Sequence, residues 1–486
     1  MITPARQQYL RLKSEHPDAI LLYRLGDFYE AFDDDAHTLH QVLGITLTSR
    51  SFGRTGRVPM AGIPYHALHG YLRRLLRAGL RIAICEQVSE PGNGLVEREV
   101  VRVLSPGTLD DPALLDEQRS NYLLAIAQHG VLLGMAWVDV TTGACEYHAL
   151  PLEDESAVSA LISLLDPAEV LAQRSDRLSC IGERIVRVVD CSALDERVVQ
   201  DFQARCSQND PLRPAHLAAF TVLLAYLQHG HQELLDALET PLPYAAGHVM
   251  ALDLQTRQNL ELDLRSKGRP DLFRLLNATR TAPGARLLRS WLHRPLVDSG
   301  AIETRLDGVS FFHQSTALRL NLQRLLSGVR DLERLATRAG AGRIGPRELE
   351  ALAVSLTQAQ AISEALSAER TLPSIVAAAL EDIDPLPALL TRINATLGEN
   401  GDLVRAGWDT ELDALRARLE EEQTSIQALV QYERERTGIK SLKSGYNKVA
   451  GYYFEVSRAN RKFVPADAER RQTLTNVERY VTEPLR

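Results

Sequence analysis

The 486-residue chain is 45% hydrophobic and 24% charged, with a formal net charge of −8. That is the composition of a folded globular protein too long for one core, so three or four domains are expected. The negative balance excludes a uniformly basic nucleic-acid coat while leaving room for local basic faces. Cys85, Cys145, Cys180, Cys191 and Cys206 are scattered and odd in number, with no C-x-x-C spacing. They support neither a zinc site nor a disulfide framework and point to a reducing, cytoplasmic setting. No secretory pattern opens the chain, and no apolar run approaches the length of a membrane span.

Residues 1–108 read as a mixed α/β domain. A helix over 4–15, with Thr3 as cap and Pro4 at its first position, precedes strand-like runs at 19–25, 45–49, 80–85 and 99–104. Helices over 27–43 and 67–78 are closed by Gly44 and Gly79. Gly26-Asp27-Phe28-Tyr29-Glu30 falls where the first strand meets the second helix, and two readings fit it. In one, Asp27 is the N-cap, Glu30 completes a capping-box variant, and Phe28 leads the buried helical face of Phe32, Ala36, Leu39 and Leu43. In the other, an exposed ring at a strand-to-helix corner wedges between base pairs and a carboxylate two residues on hydrogen-bonds the disturbed base. Between 50 and 102, nine arginines face four glutamates. The glycine-rich loop from Arg50 through Arg54 to Arg57 suits either a phosphate backbone or a solvated hairpin tip.

A second α/β unit is expected over 120–243. Strands at 122–127 and 131–141 joined through Gln128-His129-Gly130 lead to a helix near 153–165, short strands near 169–172 and 185–189, and helices near 193–205 and 214–229. Asp139 at a strand end, with Asp190 as a partner, suggests a metal-dependent nuclease, since phosphodiester hydrolysis needs converging carboxylates. A turn-starting aspartate is the plainer reading.

From 244 to about 406 the pattern is helical, with leucines at helical spacing and arginines on opposite faces, most of them expected to be solvated. After Trp408, Leu412, Leu415, Leu419, Ile426 and Leu429 follow a three-and-four spacing with Glu422 interrupting, the mark of a long helix packed along a partner. A β hairpin is expected over 441–457, after which Leu474, Val477 and Val481 read as the start of a returning helix. Over 430–480 there are eleven Lys and Arg against six acids, interleaved with tyrosines. Such a tip suits a backbone grip without sequence readout.

Several long stretches carry a resemblance. In order they are Gly26-Asp27-Phe28-Tyr29-Glu30-Ala31-Phe32, Val58-Pro59-Met60-Ala61-Gly62-Ile63-Pro64-Tyr65-His66, Ala83-Ile84-Cys85-Glu86-Gln87, Ser105-Pro106-Gly107-Thr108, Trp291-Leu292-His293-Arg294-Pro295-Leu296, and Gly451-Tyr452-Tyr453 with Arg470-Arg471-Gln472-Thr473-Leu474. In these stretches the chain resembles the MutS family of DNA mismatch repair proteins. The resemblance implies a mismatch-recognition domain (1–108), an RNase H-like connector (120–243), a helical core or lever (244–412), a β-rich clamp (413–479) and the start of a returning lever helix (480–486). It implies that Phe28 stacks on and Glu30 hydrogen-bonds a mispaired base from the minor groove. Backbone contacts are expected from Arg50, Arg54, Arg57, Arg98, Lys443, Lys448, Arg458, Arg461 and Lys462, chosen on charge and segment. The implied partners are mismatched duplex DNA, a MutL-type protein at the connector, and a second copy, with dimerisation weak or absent in this chain. The family's ATPase, with its ATP and magnesium, has no counterpart here: no G-x-x-x-x-G-K-[ST] loop occurs, so the chain is expected to be a non-enzymatic N-terminal portion. A branched-DNA-binding relative without base probing is the remaining alternative.

Overall fold

The computed structural model describes residues 3–52, 56–89, 96–173, 186–206, 212–229, 231–244, 246–262, 270–398, 403–447, 451–473 and 476–485. The chain divides into two compact units, Met1–Asn394 and Ala395–Arg486.

The first unit opens with α1 (Pro4–Glu15), β1 (Ala19–Leu25), β2 (Phe28–Phe32), α2 (Asp34–Leu43), β3 (Thr48–Ser51), β4 (Arg57–Pro64), α3 (Leu68–Arg77), β5 (Arg81–Gln87) and β6 (Arg98–Leu104). The strands form one mixed sheet in the order β3-β4-β2-β1-β5-β6. One face buries Ile20, Leu22, Tyr29 and Ala31 under Leu39 and Leu43 of α2 and Leu72 and Leu75 of α3. The other buries Leu21, Tyr23, Phe32 and Phe52 under Tyr9 and Leu12 of α1. Covering both faces explains why β1 reads as a continuous apolar run rather than an alternating one.

The helix expected over 27–43 begins only at Asp34. Gly26 takes a left-handed φ of +59°, and Leu25 pairs with Phe28 across the resulting two-residue turn, so the chain reverses into β2. Asp27 therefore caps nothing, and Glu30 is a strand residue opposite Tyr23 and Gly62. The apolar spacing that suggested a helical face is a two-sided strand followed by a shorter helix. β4 carries Pro59, Gly62 and Pro64, residues that argue against a strand, yet it pairs with both β2 and β3. β3 and β4 accordingly pair as antiparallel neighbours, with Ser51 opposite Arg57, and residues 53–55 of the basic loop lie outside the described residues.

A second α/β part comprises β7 (Tyr122–His129), β8 (Leu132–Asp139), β9 (Cys145–Pro151), α4 (Glu155–Leu165), β10 (Glu169–Ala172), β11 (Val186–Val188), α5 (Glu196–Arg205), α6 (Arg213–Gln228), α7 (Gln232–Leu235) and β12 (Leu242–Pro243). Its sheet order is β11-β10-β7-β8-β9-β12. α4 covers one face and α6 the other. Gly134 in β8 permits the latter contact, because a Cβ there would stand 1.9 Å from the Ala215 carbonyl oxygen.

Helices α8 (Leu254–Asn259), α9 (Leu272–Leu276), α10 (Ala282–His293), α11 (Ser299–Gln314), α12 (Thr316–Leu326), α13 (Leu332–Gly340), α14 (Pro346–Ser367), α15 (Ser374–Glu381) and α16 (Pro387–Thr396) follow. Several arginines expected to be solvated are instead buried here. Arg286 forms a two-pronged pair with Asp331 at 2.7 and 2.8 Å. Arg334 donates to Thr141 Oγ1 at 3.1 Å and to the Arg119 carbonyl at 2.9 Å, entering the end of β8. Arg343 binds both Glu233 of α7 and Asp110, whose other oxygen accepts from Arg102 of β6. One helical-region arginine thus ties the β6 end of the first sheet region to α7.

The second unit holds α17 (Thr410–Thr437), β13 (Lys443–Asn447), β14 (Gly451–Ser457), β15 (Glu469–Thr473) and β16 (Val477–Val481), with sheet order β13-β14-β16-β15. Ile426, Leu429 and Val430 of α17 pack against Phe454, Tyr480 and Val481, while Leu415 and Leu419 are exposed. The expected hairpin is present, but the returning helix is not: Val477 and Val481 bound β16, and Glu483–Leu485 is a 3-10 turn. Pairing decides the difference: Val477, Glu478, Arg479 and Tyr480 lie opposite Ser457, Val456, Glu455 and Phe454 of β14, and the buried Glu478 accepts a hydrogen bond from Tyr480. Leu474 lies outside the described residues.

Two outcomes test the junction built on Arg343. Burial opposes ionisation of Asp110, but Arg102 and Arg343 outweigh it and hold the acid below its usual range. Asp110→Asn is expected to lower the unfolding free energy by about 2 kcal/mol in denaturant titration, the low side for a broken buried pair because both arginines keep 30% of their side-chain exposure. Burial, helped by Arg81 and Arg343, pushes the His231 imidazole down to about 4. An unfolded histidine protonates near about 6.5, so stability present above that pH is lost as pH falls toward 4. His231→Asn is expected to flatten that part of the stability profile.

Candidate nucleic-acid interface

The Gly26-Asp27 turn makes Phe28 the first residue of β2, at one end of the sheet, paired with Leu25 and Pro64. Its ring is 46% exposed, whereas Phe32 on the same face is buried under α1. Glu30 lies between them on that face. Opposite it, Gly62 carries no side chain, and a Cβ there would meet Glu30 Cγ at 3.5 Å and Phe28 Cδ1 at 3.9 Å. The Phe28 ring and the Glu30 side chain therefore lie over the bare backbone of Gly62. Glu30 is only 13% exposed, and Arg50 of β3 reaches across β4 to donate from Nη1 to Glu30 Oε2 at 2.5 Å. Arg24 stacks 4.2 Å over the half-exposed Tyr65 ring, and the Tyr65 amide donates to the Asp27 carbonyl at 3.0 Å. Tyr65 and Arg24 thus belong to the same sheet end. Sequence reading gave neither a role; the signal was Tyr65 following Pro64 in a stretch noted only for resemblance.

The basic candidates separate. Arg57 is exposed at the start of β4, and Arg50 is half-exposed in its pair with Glu30. Arg98 is 5% exposed, stacks 5.0 Å over Tyr23, and donates to the Arg24 and Val96 carbonyls at 2.7 and 2.9 Å. Its place among surface cations is withdrawn, because charge counted along a segment does not reveal which side of a strand end a residue occupies. Arg54 and Lys448 lie outside the described residues. In the second unit Lys443, Arg458, Arg461 and Lys462 are all exposed. Lys462 lies 5.0 Å over Phe463, and Arg461 stands 3.5 Å from Glu478. Tyr446 and Tyr452 face each other across the hairpin with ring centroids 5.0 Å apart. Arg470 and Arg471, on the wholly exposed β15, are further cations that were counted in the charge balance but not singled out.

Asp139 is 2% exposed. Its carboxylate accepts from the Asn121 and Thr141 amides at 3.0 Å and from Thr141 Oγ1 at 2.6 Å, which makes it the turn-starting residue. Asp190 follows β11, which runs parallel to β10 and hence to β7, whereas β8 runs antiparallel to β7. The two aspartates therefore stand at opposite ends of the sheet. Among the described residues no group of three or more His, Cys, Asp or Glu is placed to hold a metal ion.

Fold and site together define a multidomain α/β and helical protein with an exposed ring beside a largely covered, arginine-paired carboxylate and separate basic modules. Family models described as MutS domain I, MutS domain II and MutS domain III match residues 3–113, 121–239 and 255–448. The chain belongs to the MutS family. Curated relatives bearing the name DNA mismatch repair protein MutS include those of Dehalococcoides mccartyi strain CBDB1 (38% identical, 58% of the relative's length covered), Syntrophomonas wolfei (36%, 59%) and Desulfitobacterium hafniense (39%, 57%). Each alignment spans 100% of this chain, which therefore covers well under two thirds of the relatives' length.

The division of the basic residues is testable by stability alone. Arg98→Gln removes a buried cation with two carbonyl partners and is expected to cost about 2 kcal/mol, whereas Arg57→Gln, fully at the surface, is expected to change stability by less than about 0.5 kcal/mol. Equal effects in thermal unfolding contradict the assignment.

Proposed function

We propose that this chain is the mismatch-sensing, DNA-binding part of a mismatch repair protein. The observation that carries the reading is the exposed Phe28 ring at a rigid sheet end with the Glu30 carboxylate two residues along the same strand face. A mispaired or looped base is poorly stacked, so kinking the duplex and inserting a ring there costs less than at a paired step. Sensing that difference in deformation needs no sequence readout. Glu30 adds discrimination, because a carboxylate brought against bases inside a polyanion is unfavourable unless a free donor or a protonated ring meets it.

Affinity independent of sequence comes, on this reading, from exposed cations: Arg57 beside the probe, and Lys443, Arg458, Arg461 and Lys462 in the second unit. The β7-β8-β9 meander continued by parallel β10 and β11 suits an RNase H-like connector, which in this family would receive a MutL-type partner. The helical region would serve as core and lever, and the second unit as clamp. A nuclease centred on Asp139 is disfavoured, since that carboxylate is consumed by its own turn. Dimer formation and ATP-dependent steps belong to the full-length family. The sequence carries no G-x-x-x-x-G-K-[ST] loop of the kind that cradles nucleotide phosphates.

The test is binding, at one stated salt concentration, to a short duplex with and without a single G·T mismatch. Wild type is expected to prefer the mismatched duplex, and Phe28→Ala to lose about tenfold or more on that duplex, the scale of a lost base–aromatic stack, while binding the paired duplex nearly unchanged. Equal binding of both duplexes by both proteins contradicts the reading.

A further inference from the structure

Arg50 is placed to do something other than grip phosphate. It sits on β3 opposite Val58, on the sheet face shared by Phe52 and Glu30, and spans β4 to reach the carboxylate. The contact is a charge-assisted hydrogen bond from Nη1 to Oε2 at 2.5 Å, with 42% of the Arg50 side chain exposed against 13% of Glu30. Among the described residues, Glu30 Oε1 takes no partner. Gly62, directly across from Glu30, adds no side chain that would fill the space beside it. The guanidinium thus occupies one carboxylate oxygen and leaves the other without a partner among the described residues.

We propose that Arg50 is a positioning and specificity residue that acts through Glu30. The inference rests on the base-probing role of Glu30 given above. Two physical consequences follow from the pair. The ion pair cancels the negative charge of the probe, so the sheet end can approach a polyanion without the full repulsion a lone carboxylate would meet. It also holds Oε1 in a fixed direction, so that a mispaired base pays no cost of ordering a flexible acid. A phosphate contact alone would predict neither, because it would add attraction equally whatever occupies position 30.

A double-mutant cycle separates the two roles. Glu30→Gln, Arg50→Met, the double variant and wild type are titrated with mismatched and paired duplex across a salt series. If Arg50 acts through Glu30, Arg50→Met weakens paired-duplex binding by at least about fivefold when Glu30 is retained and by less than about twofold in the Glu30→Gln background, a coupling typical of a contacting charge pair. Arg50→Lys, which keeps the charge, is expected to recover most of that loss. Additive losses in both backgrounds, with the salt slope falling by about one unit on removing Arg50, would assign it to a phosphate and overturn the proposal. The coupling is read on paired duplex. Loss of mismatch preference in wild type would therefore count against the base-probing role without settling the pairing, and additivity would count against the pairing alone.

Discussion

A left-handed backbone at Gly26 is the constraint on which the sheet end carrying Phe28 and Glu30 depends. It closes β1 onto β2 in two residues, and strand geometry then fixes everything beyond it. Because side chains alternate across a strand, Phe28, Glu30 and Phe32 must share one face, and because α1 covers only part of that face, burial falls from Phe32 outward to Phe28. A ring anchored this way has little freedom to fold back onto its own surface. Pre-ordering suits a wedge, since a probe already extended loses less entropy on insertion than one that must be ordered. A helix start, the other conformation compatible with these residues, would have rotated Glu30 away from Phe28 and separated ring from acid.

The rest of the first unit holds that sheet end against a larger frame, and polar contacts do much of it. Arg187 of β11 binds Glu169 at 2.6 Å and Asp18 at 3.1 Å, and Asp18 also takes Arg81 of β5 at 2.9 Å, joining the second sheet to the first. Arg334 and Arg343 join the helical region to both. Buried ion pairs contribute little net stability compared with apolar packing, but they tolerate only one geometry. Residues of three successive parts of the first unit are held together by these pairs.

Much of this was legible in the sequence where one period dominated. The helix over 4–15, the strands near 81 and 98 and the long helix after Trp408 announced themselves by caps, glycines and apolar spacing. The same signals failed where two periods overlapped: Phe28, Phe32 and Ala36 satisfy a helical spacing, and only the Gly26 conformation, which depends on Leu25 finding Phe28 across the turn, selects the strand. β4 was hidden by Pro59 and Pro64, which lack a backbone donor and yet stand in a strand paired on both sides. Arg98 was misplaced because charge says nothing of burial, and the Arg50–Glu30 pair joins residues twenty apart that only the sheet order brings together. The wedge itself was suggested by residue chemistry and resemblance, and its exposure by the fold alone.

The central claim is that the ring at position 28 meets the disturbed base. Replacing Phe28 with a photoreactive phenylalanine analogue and irradiating the complex with a duplex carrying one mismatch reads that contact directly. Crosslinks confined to the mispaired base or its immediate neighbour are the predicted result. Crosslinks spread evenly along the duplex, unchanged when the mismatch is moved or removed, would contradict the account.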